Sequence, residues 1–397
     1  MRTVYVIGTL DTKADELRYA VSRVRAAGAL ALLVDISTTE GNGEADISAE
    51  AVAAHHPQGR NAVLGLSDRG AAVTAMGEAL GRYLLTRNDI GAVLGLGGGG
   101  NTSMVTAAMR ALPIGVPKLM VSTMASGNIA PYVGPADIAM MHAVADVAGL
   151  NAITRQVIGN AAHAAAGMAL NAVPEATTDK QPVGLTMFGV TTACITQICQ
   201  RIEDSRECFV FHATGTGGQC LEKLIDSGLI TATIDITTTE VADFLLGGVL
   251  PCTEDRFGAA IRRRIPFIGS VGACDMVNFG GGGTVPERFA GRKLHVHNPQ
   301  VTLMRTSCKE NHAIGQWIVE RVNRMEGPVR FLLPLGGVSA IDAAGQPFHD
   351  PDADAALFAA IREGWVAAPN RELIDVDAHI NDRVFAEAAV SAFRAIT

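Results

Sequence analysis

The sequence predicts an α/β protein of two domains, each with a mainly parallel β-sheet flanked by helices. Short apolar runs rich in β-branched residues alternate with longer segments of helical periodicity, which is typical of βαβ units. The chain also has 397 residues, more than one ordinary hydrophobic core encloses, and this length favours two domains.

The first half alternates between strands and helices. Leu17, Val21 and Val24 recur at helical spacing after the first strand, and Gly28 terminates that helix. Further helices are predicted at 71–85 and from the glycine-rich loop to residue 112. The polar segment 40–60 is rich in glycine, alanine and histidine and is either a lid or an oligomer contact. The predicted strands are residues 4–7, 30–36, 90–96 and 118–122.

The periodic pattern stops at "VPEATTDKQP", which carries proline, threonine and charges but no apolar period. We therefore predict a boundary here, with a first domain at 1–178 and a second at 179–397. A helix to about residue 202 and strands at 208–212 and 231–236 then restart the alternation. The segments "VDISTTEG" and "IDITTTEV" echo one another between the halves, although the glycine-rich turn follows the first segment and precedes the second.

Composition excludes several partners. The net charge of -8 argues against a nucleic-acid surface, which would need clustered lysine and arginine. The only basic run, Arg262-Arg263-Arg264, is interpreted as a solvated helix end. The apolar start is too short for a signal peptide, and no run of roughly 18 apolar residues would cross a membrane. The seven cysteines include no C-x-x-C pair and indicate reduced thiols. We therefore expect a cytoplasmic protein without nucleic-acid or membrane partners.

The stretch "GLGGGGNTSM" is the strongest functional signal, because five of its first six residues are glycine. It follows a predicted strand and precedes a predicted helix, so its bare backbone would let a phosphate approach the positive end of that helix. The alternative is a tight packing turn. Such a turn needs one or two glycines and does not explain four in a row, at positions 97–100.

The identity of the nucleotide is a separate question. Gly95, Gly97 and Gly100 match the letters of a dinucleotide fingerprint, but the strand after them ends without the acidic residue that would bind ribose. The acid at a strand end is Asp35, and it follows the other turn, "GTLDT". This separation makes nicotinamide binding a poor fit, and no P-loop motif occurs.

The turn "GTLDTKADE" is the second strong feature. Thr12 and Asp15 fit a capping box. Asp11 either caps the helix or holds Mg²⁺ through water, and Lys13 is either a solvated lysine or a phosphate partner. If the sheet is parallel throughout, residues 8–11, 97–102 and 122–128 converge at its carboxyl edge and form a pocket.

The second half is less informative. Thr214, Gly215 and Gly217 in "HATGTGGQC" either cradle another anion or form a plain turn. Arg305 with Glu310 is a candidate pair for orienting an acidic ligand, and Asp275 in "GSVGACDMVNFG" is a further candidate. The tetraglycine at 280–283 is interpreted as a flexible loop near an interdomain cleft. The histidines near it have no metal-ligand spacing.

Several ordered motifs resemble one uncharacterised ATP-binding family, which includes the N-terminal inhibitory region of the tomato mosaic virus resistance protein. Among them are "VIGTLDTKADE", "DISTTEG", "GLGGGGNTS", "STMASGN", "HNPQVTLMRT" and "LPLGGVSAID". The resemblance implies two Rossmann-like domains, ATP with Mg²⁺ in the first, and a homodimer. Together with the converging turns it assigns these nucleotide-binding residues: Gly8, Thr9, Asp11, Thr12, Lys13, Asp35, Gly97, Gly98, Gly99, Gly100, Asn101, Thr102, Ser126, Gly127 and Asn128.

Three functional hypotheses follow. The first is an ATP-dependent enzyme acting on a small acidic molecule at the interdomain cleft, without an assigned catalytic residue. The second is a nucleotide-gated binding or regulatory module that does not turn ATP over. The third, a nicotinamide-dependent oxidoreductase, rests only on the three fingerprint glycines.

Overall fold

The computed structural model describes residues 2–39, 44–174 and 178–397. These residues form two compact units, Met1–Ala176 and Thr177–Thr397, which we call unit 1 and unit 2. Residues 40–43, at the start of the polar segment 40–60, and 175–177, within the predicted boundary segment, lie outside the described residues.

Unit 1 contains a fully parallel sheet in the order β2-β1-β3-β4-β5. The chain passes from β1 to β2 on one side and returns to β3 on the other, so the topology switches between β1 and β3. Its strands among the described residues are β1 (Thr3–Gly8), β2 (Leu30–Asp35), β3 (Ile90–Gly97), β4 (Lys118–Ser122) and β5 (Ile138–His142).

Helices cover both faces of this sheet. Their bounds are α1 (Leu10–Ala26), α2 (Ala49–Ala53), α3 (Asn61–Leu64), α4 (Arg69–Leu85), α5 (Gly99–Ala111), α6 (Ala130–Val133) and α7 (Ala152–Leu170), with a 3-10 turn at Thr123–Ser126. Residues of α1 and α7 form the core on one face, and residues of α2, α4 and α5 form it on the other. The capping box predicted from Thr12 is wrong, because α1 begins at Leu10 with Thr9 as its N-cap.

Unit 2 contains a second parallel sheet, in the order β14-β13-β9-β8-β6-β7. This is the strand order of unit 1 with a sixth strand added, and its switch point lies between β6 and β8. A small antiparallel sheet has the order β10-β12-β11. The described strands are β6 (Gln181–Met187), β7 (Arg206–His212), β8 (Thr233–Thr237), β9 (Phe267–Gly272), β10 (Met276–Phe279), β11 (Leu294–Asn298), β12 (Val301–Arg305), β13 (Val329–Pro334) and β14 (Arg371–Val376).

The helices of unit 2 also flank its large sheet. They are α8 (Thr192–Ile202), α9 (Thr216–Asp226), α10 (Thr239–Leu246), α11 (Gly258–Arg263), α12 (Cys308–Val322), α13 (Pro351–Gly364) and α14 (Arg383–Arg394), with 3-10 turns at Gly282–Thr284 and Glu287–Phe289. One core cluster includes residues of α12 and α13, and another includes residues of α8 and α14. The predicted fold class is therefore confirmed: two mainly parallel sheets, each flanked by helices.

Within the described parts of the chain, every helix is too short or too polar to cross a bilayer.

Candidate functional site

A cavity of about 540 Å³ opens at the carboxyl edge of the unit 1 sheet, beside the ends of β1 and β3. This is the switch point, where doubly wound α/β proteins bind their ligands, and the volume is in the range of small-molecule sites. The cavity wall consists of Thr9, Asp11, Thr12, Lys13, Thr38, Thr39, Leu66, Ser67, Arg69, Ala72, Val73, Gly98, Gly99, Gly100, Asn101 and Met104.

The glycine loop presents an uncapped helix start to this cavity. Helix α5 begins at Gly99, its N-cap is Gly98, and no side chain bonds to its first turn. Its earliest intrahelical bond joins the amide of Thr102 to the carbonyl of Gly98 at 2.9 Å. The amides of Gly99, Gly100 and Asn101 therefore have no helical partner and lie at the positive end of the helix dipole.

Two of the five glycines are required by packing inside the protein. A Cβ atom on Gly95 would lie 2.5 Å from the sulfur of Met120. Gly97 has φ +147°, and its Cβ would lie 2.6 Å from Nδ2 of Asn101. Neither residue lies on the cavity wall, so both serve the close fit between β3 and α5.

Packing does not require the other three glycines, Gly98, Gly99 and Gly100. A Cβ on Gly98 or Gly99 would have its nearest neighbour at 3.8 Å, an ordinary contact, and a Cβ on Gly100 would meet nothing within 4 Å. All three lie on the cavity wall. The described part of the protein would accept a side chain at each position, so packing does not account for glycine at these three positions.

Hydrogen bonds join the two turns across the switch point. The side-chain amide of Asn101 donates to Oγ1 of Thr9 at 3.2 Å and to the carbonyl of Leu96 at 3.1 Å. Thr9 and Thr12 share a hydroxyl bond of 2.8 Å. The turn after β1 is thereby fixed to the start of α5, which holds both sides of the cavity edge in place.

Thr102 supports the glycine loop from behind. Its buried hydroxyl donates to the carbonyl of Gly98 at 2.8 Å and lies 2.6 Å from Oγ of Ser122. Thr102 is not on the cavity wall. Its hydroxyl therefore positions the loop and does not face the cavity.

Asp35 is also internal, with 3% exposure. Its carboxylate accepts from the amides of Leu10 at 3.0 Å and Ser37 at 2.9 Å, and from the hydroxyl of Ser37 at 2.6 Å. Oγ of Ser37 accepts in turn from the amide of Asp11 at 3.2 Å. The start of α1 is thus covered by protein groups, whereas the start of α5 is open.

Three charged side chains of the described residues line the cavity. The ammonium of Lys13 donates to the carbonyl of Val147. Arg69, at the first position of α4, makes no hydrogen bond or ion pair with the described residues. Asp11 accepts from the hydroxyl of Thr39 at 2.9 Å. Two cations and an open helix start outweigh one carboxylate, so the wall favours an anionic ligand.

A metal ion would not find a complete protein cage here. No group of three or more metal-ligating side chains occurs among the described residues. Asp11, the one carboxylate among the described wall residues, suits Mg²⁺, which keeps several waters and is commonly shared between one or two carboxylates and substrate phosphates.

The structure brings the predicted turns after β1 and β3 together but leaves the turn after β4 outside the wall. Ser126, Gly127 and Asn128 are exposed, and Oδ1 of Asn128 accepts from the amide of Ala130 at 3.1 Å. The predicted residues that lie on the wall are Thr9, Asp11, Thr12, Lys13, Gly98, Gly99, Gly100 and Asn101; those off it are Gly8, Asp35, Gly97, Thr102, Ser126, Gly127 and Asn128.

The glycine turn of unit 2 is occupied by the protein itself. The amide of Gly215 donates to Oε2 of Glu240 at 2.7 Å. A Cβ on Gly217 would overlap the carbonyl of His212, and a Cβ on Gly218 would overlap the Glu240 carboxylate. The anion at this turn is thus a side chain of the chain, and the predicted cradle for an external anion is corrected accordingly.

Arg305 and Glu310 do not form a ligand-binding pair. Arg305 is 3% exposed, and its guanidinium contacts Asp342 at 3.2 Å and Asp354 at 2.8 Å. Glu310 caps α12 and pairs with Arg292 at 2.6 Å. Both side chains are engaged by groups of the protein.

Asp275 is completely buried beside Arg305. Burial raises its pKa to about 7, although Arg305 and a hydrogen bond from Ser339 act in the opposite direction. Asp275 therefore belongs to an internal carboxylate cluster with Asp342 and Asp354.

The fold and this site define a two-unit α/β protein with doubly wound sheets and an open glycine loop at the switch point of the first. The chain belongs to the uncharacterised protein family UPF0261, with residues 2–174 matching its N-terminal domain and 180–397 its C-terminal domain. The predicted family resemblance is thereby confirmed.

Relatives with different degrees of sequence identity match nearly the whole of this chain. A UPF0261 protein of Rhizobium meliloti (strain 1021) is 55% identical over 100% of this chain and 99% of its own length. A UPF0261 protein of Clostridium tetani is 40% identical over 98% of this chain and 97% of its own length. The ToMV resistance protein Tm-1(GCR237) of Solanum lycopersicum is 41% identical over 99% of this chain, but the match spans only 56% of that protein.

Proposed function

We propose that unit 1 binds ATP with Mg²⁺ at the open glycine loop. The observation that carries this proposal is the set of Gly98, Gly99 and Gly100, which line the cavity and would each accept a Cβ without a clash. They lie at an uncapped helix start, where amide groups and the helix dipole favour phosphate.

The charged wall supports a polyphosphate. Lys13 retains donors besides the one used by Val147, and Arg69 supplies a second cation. Asp11 would share a hydrated Mg²⁺ with the phosphates. An apolar part of the wall, formed by Leu66, Val73 and Met104, suits the face of a purine base.

A nicotinamide cofactor is less well supported. Its ribose hydroxyls need an accessible carboxylate at a strand end, and Asp35 is buried, with its Oδ1 already accepting three hydrogen bonds from Leu10 and Ser37. We therefore favour ATP over a dinucleotide.

Of the two ATP hypotheses, we favour the nucleotide-gated module. The small acidic substrate was inferred partly from Arg305 and Glu310, and both are engaged inside unit 2. An ATP-dependent enzyme stays a prediction, as do the homodimer and the cytoplasmic location.

Calorimetry of the full chain tests this function, using ATP with and without Mg²⁺ and NADH as a comparison ligand. We expect ATP to bind, and Gly99→Val to abolish binding because its side chain occupies the place of a phosphate. Gly167→Val is the matched control, since Gly167 is a helical glycine of α7 with nothing within 4 Å of its Cβ position. ATP affinity unchanged by Gly99→Val, or NADH binding in preference to ATP, would refute the proposal. Continuous phosphate release would revive the enzyme hypothesis.

A further inference from the structure

Unit 2 contains a cavity of its own, with a volume of about 270 Å³. Part of its wall is the loop after β6, one of the two strands that flank the switch point of this sheet. Its apolar lining includes Phe188, Val190, Leu250, Val301 and Leu303. Among the described residues, no charged side chain belongs to the wall, in contrast to the cavity of unit 1.

One buried acceptor on this wall lacks a partner. Asn278 is fully buried, and its Oδ1 accepts no hydrogen bond from the described residues. Buried polar atoms are nearly always paired, by the protein, by water or by a ligand. The unpaired oxygen therefore indicates a donor that the described chain does not supply.

The orientation of this amide is fixed. Both the side-chain amide and the backbone amide of Asn278 donate to Oδ1 of Asp243, at 3.1 and 2.8 Å. Rotating the side-chain amide of Asn278 by half a turn would place its oxygen, instead of its nitrogen, against the Asp243 carboxylate. Two acceptors would then face each other, which is unfavourable. Asp243 thus keeps the carbonyl oxygen of Asn278 available as an acceptor.

Strand register places Asn278 on the cavity side of the small sheet. It pairs directly with Leu303 in the antiparallel β10/β12 ladder, so both side chains lie on the same face. Leu303 and Val301, two residues apart on β12, also share that face, and all three line the cavity.

The opening carries two exposed imidazoles, His212 and His297. The ring of His212 lies 5.2 Å from that of Phe188, measured between centroids. The cavity thus combines an apolar body, one buried acceptor and a polar rim, which is the usual composition of a small-molecule site.

We infer that this cavity binds a small, uncharged organic molecule with an apolar body and a hydroxyl group that donates to Asn278. The inference is independent of nucleotide binding in unit 1, because the two cavities share no residue.

Calorimetry of the full chain with cyclohexanol and cyclohexanone tests this inference. The two probes have similar size, but only the alcohol can donate to Asn278, and the ketone would set one acceptor against another. We expect cyclohexanol to bind at least about tenfold more tightly. Equal affinities for the two probes would overturn the inference. Absence of binding by either probe would also overturn it and would mean that the cavity holds only water.

Two variants locate the site. Gly189 lies on the wall and Gly282 lies away from it, and a Cβ at either position would meet nothing within 4 Å. We expect Gly189→Leu to abolish cyclohexanol binding with little change in melting temperature, and Gly282→Leu to leave binding intact. Undiminished binding in folded Gly189→Leu would place the probe elsewhere and contradict the inference. Gly99→Val should leave cyclohexanol affinity unchanged, so a failure at the nucleotide site is distinguishable.

Discussion

Both units carry a glycine-rich turn at the carboxyl edge of a sheet with the same strand order, but only one of these turns is open. In unit 1, Gly98, Gly99 and Gly100 face a cavity. In unit 2, the carboxylate of Glu240 accepts from Gly215, and Gly217 and Gly218 have no room for a side chain. A glycine-rich turn therefore indicates a close approach to the backbone, and the approaching group can belong to the protein itself.

The glycine-rich turn and the Asp-Ile segment are associated with different strands in the two units. In unit 1 the open loop follows β3, beside the switch point, and the "DISTTE" segment follows β2. In unit 2 the glycine turn follows the edge strand β7, and "DITTTE" follows β8 at the switch point. Glu240 belongs to that second segment, whereas its counterpart Glu40 lies outside the described residues.

A buried arginine completes the closed turn of unit 2. Arg256 bonds to Glu240 at 2.5 Å and to Asp235 at 2.7 and 2.9 Å. All three side chains are nearly inaccessible. Asp235 thus pairs with a cation, whereas the corresponding Asp35 is satisfied by amides and a hydroxyl.

The largest expected effect is that of Gly217→Ala. The new methyl group would overlap the carbonyl of His212, a backbone atom that cannot move alone. We expect a loss of more than about 4 kcal/mol in the free energy of unfolding, or failure of unit 2 to fold. Tryptophan fluorescence during urea unfolding measures this loss of stability, because Trp317 and Trp365 are the two tryptophans of the chain and both lie in unit 2.

Gly98→Ala is the matched control for that prediction, since its methyl group would have its nearest neighbour at 3.8 Å. Gly98 lies in unit 1, so the two variants are compared by far-ultraviolet circular dichroism during urea unfolding, which reports on the helices of both units. Equal stability losses in the two variants would contradict the conclusion that the turn at Gly217 is closed and the turn at Gly98 is open.

Glu240→Gln is expected to have the next largest effect. The substitution keeps the shape but removes the charge that Arg256 faces and replaces one acceptor oxygen by a donor. Breaking a buried ion pair costs about 3 kcal/mol or more, and we expect a loss of that size by the same fluorescence assay. Asp226→Asn, in an exposed pair with Arg262, should change the unfolding free energy by less than about 1 kcal/mol. Similar effects from both substitutions would show that Glu240 does not close the turn.

The fold class and the place of the site could be predicted from the sequence, because both depend on local regularities. The alternation of strand and helix patterns gives parallel sheets, and turns after parallel strands meet at one edge. The turns containing Asp11 and Gly99 were therefore expected to meet, and both line the cavity.

The remainder of the wall could not be predicted, because the sequence pattern does not indicate which residues of the loop after β2, of the loop before α4 and of the flanking helices face the cavity. Thr38, Thr39 and Arg69 reach the cavity through tertiary packing, and their only signal was that two of them follow a strand end. Arg305 and Glu310 are five positions apart, yet Asp342 and Asp354, distant in sequence, engage Arg305. The short sequence separation of Arg305 and Glu310 therefore did not mean that their side chains act together.

Gly100→Ala separates ligand binding from packing in unit 1. Gly100 is in the first turn of α5 with open space at its Cβ position, so alanine should leave the unfolding free energy unchanged or raise it by up to about 1 kcal/mol. We expect ATP affinity to fall by about tenfold, roughly 1.4 kcal/mol, because the methyl group intrudes on the phosphate.

Gly167→Ala in α7 is the control for this substitution, and it should show the stability effect without the loss of affinity. Calorimetry and thermal melting together measure both quantities. A stable Gly100→Ala protein with normal ATP affinity would mean that the open turn is not a phosphate site.

The smallest expected effect is a difference in pH dependence caused by the buried carboxylates of unit 2. Burial first, and then the neighbouring Asp342, raise the pKa of Asp354 to about 7, although Arg305 opposes them. The folded state therefore holds more protons than the unfolded chain between about pH 4 and pH 7, and the free energy of unfolding falls as pH rises through that window.

Asp354→Asn should make this decline shallower by at most about 1.4 kcal/mol per pH unit, the limit for one proton. Urea unfolding at pH 5, 6 and 7, followed by tryptophan fluorescence, measures the slope, with Asp226→Asn as an exposed control. An unchanged slope in Asp354→Asn would mean that its carboxyl titrates normally. A shallower slope would support a physical difference between the two candidate regions. Asp275, Asp342 and Asp354 of unit 2 are enclosed within the protein, whereas the wall of unit 1 leaves Asp11 and the start of α5 open to a ligand.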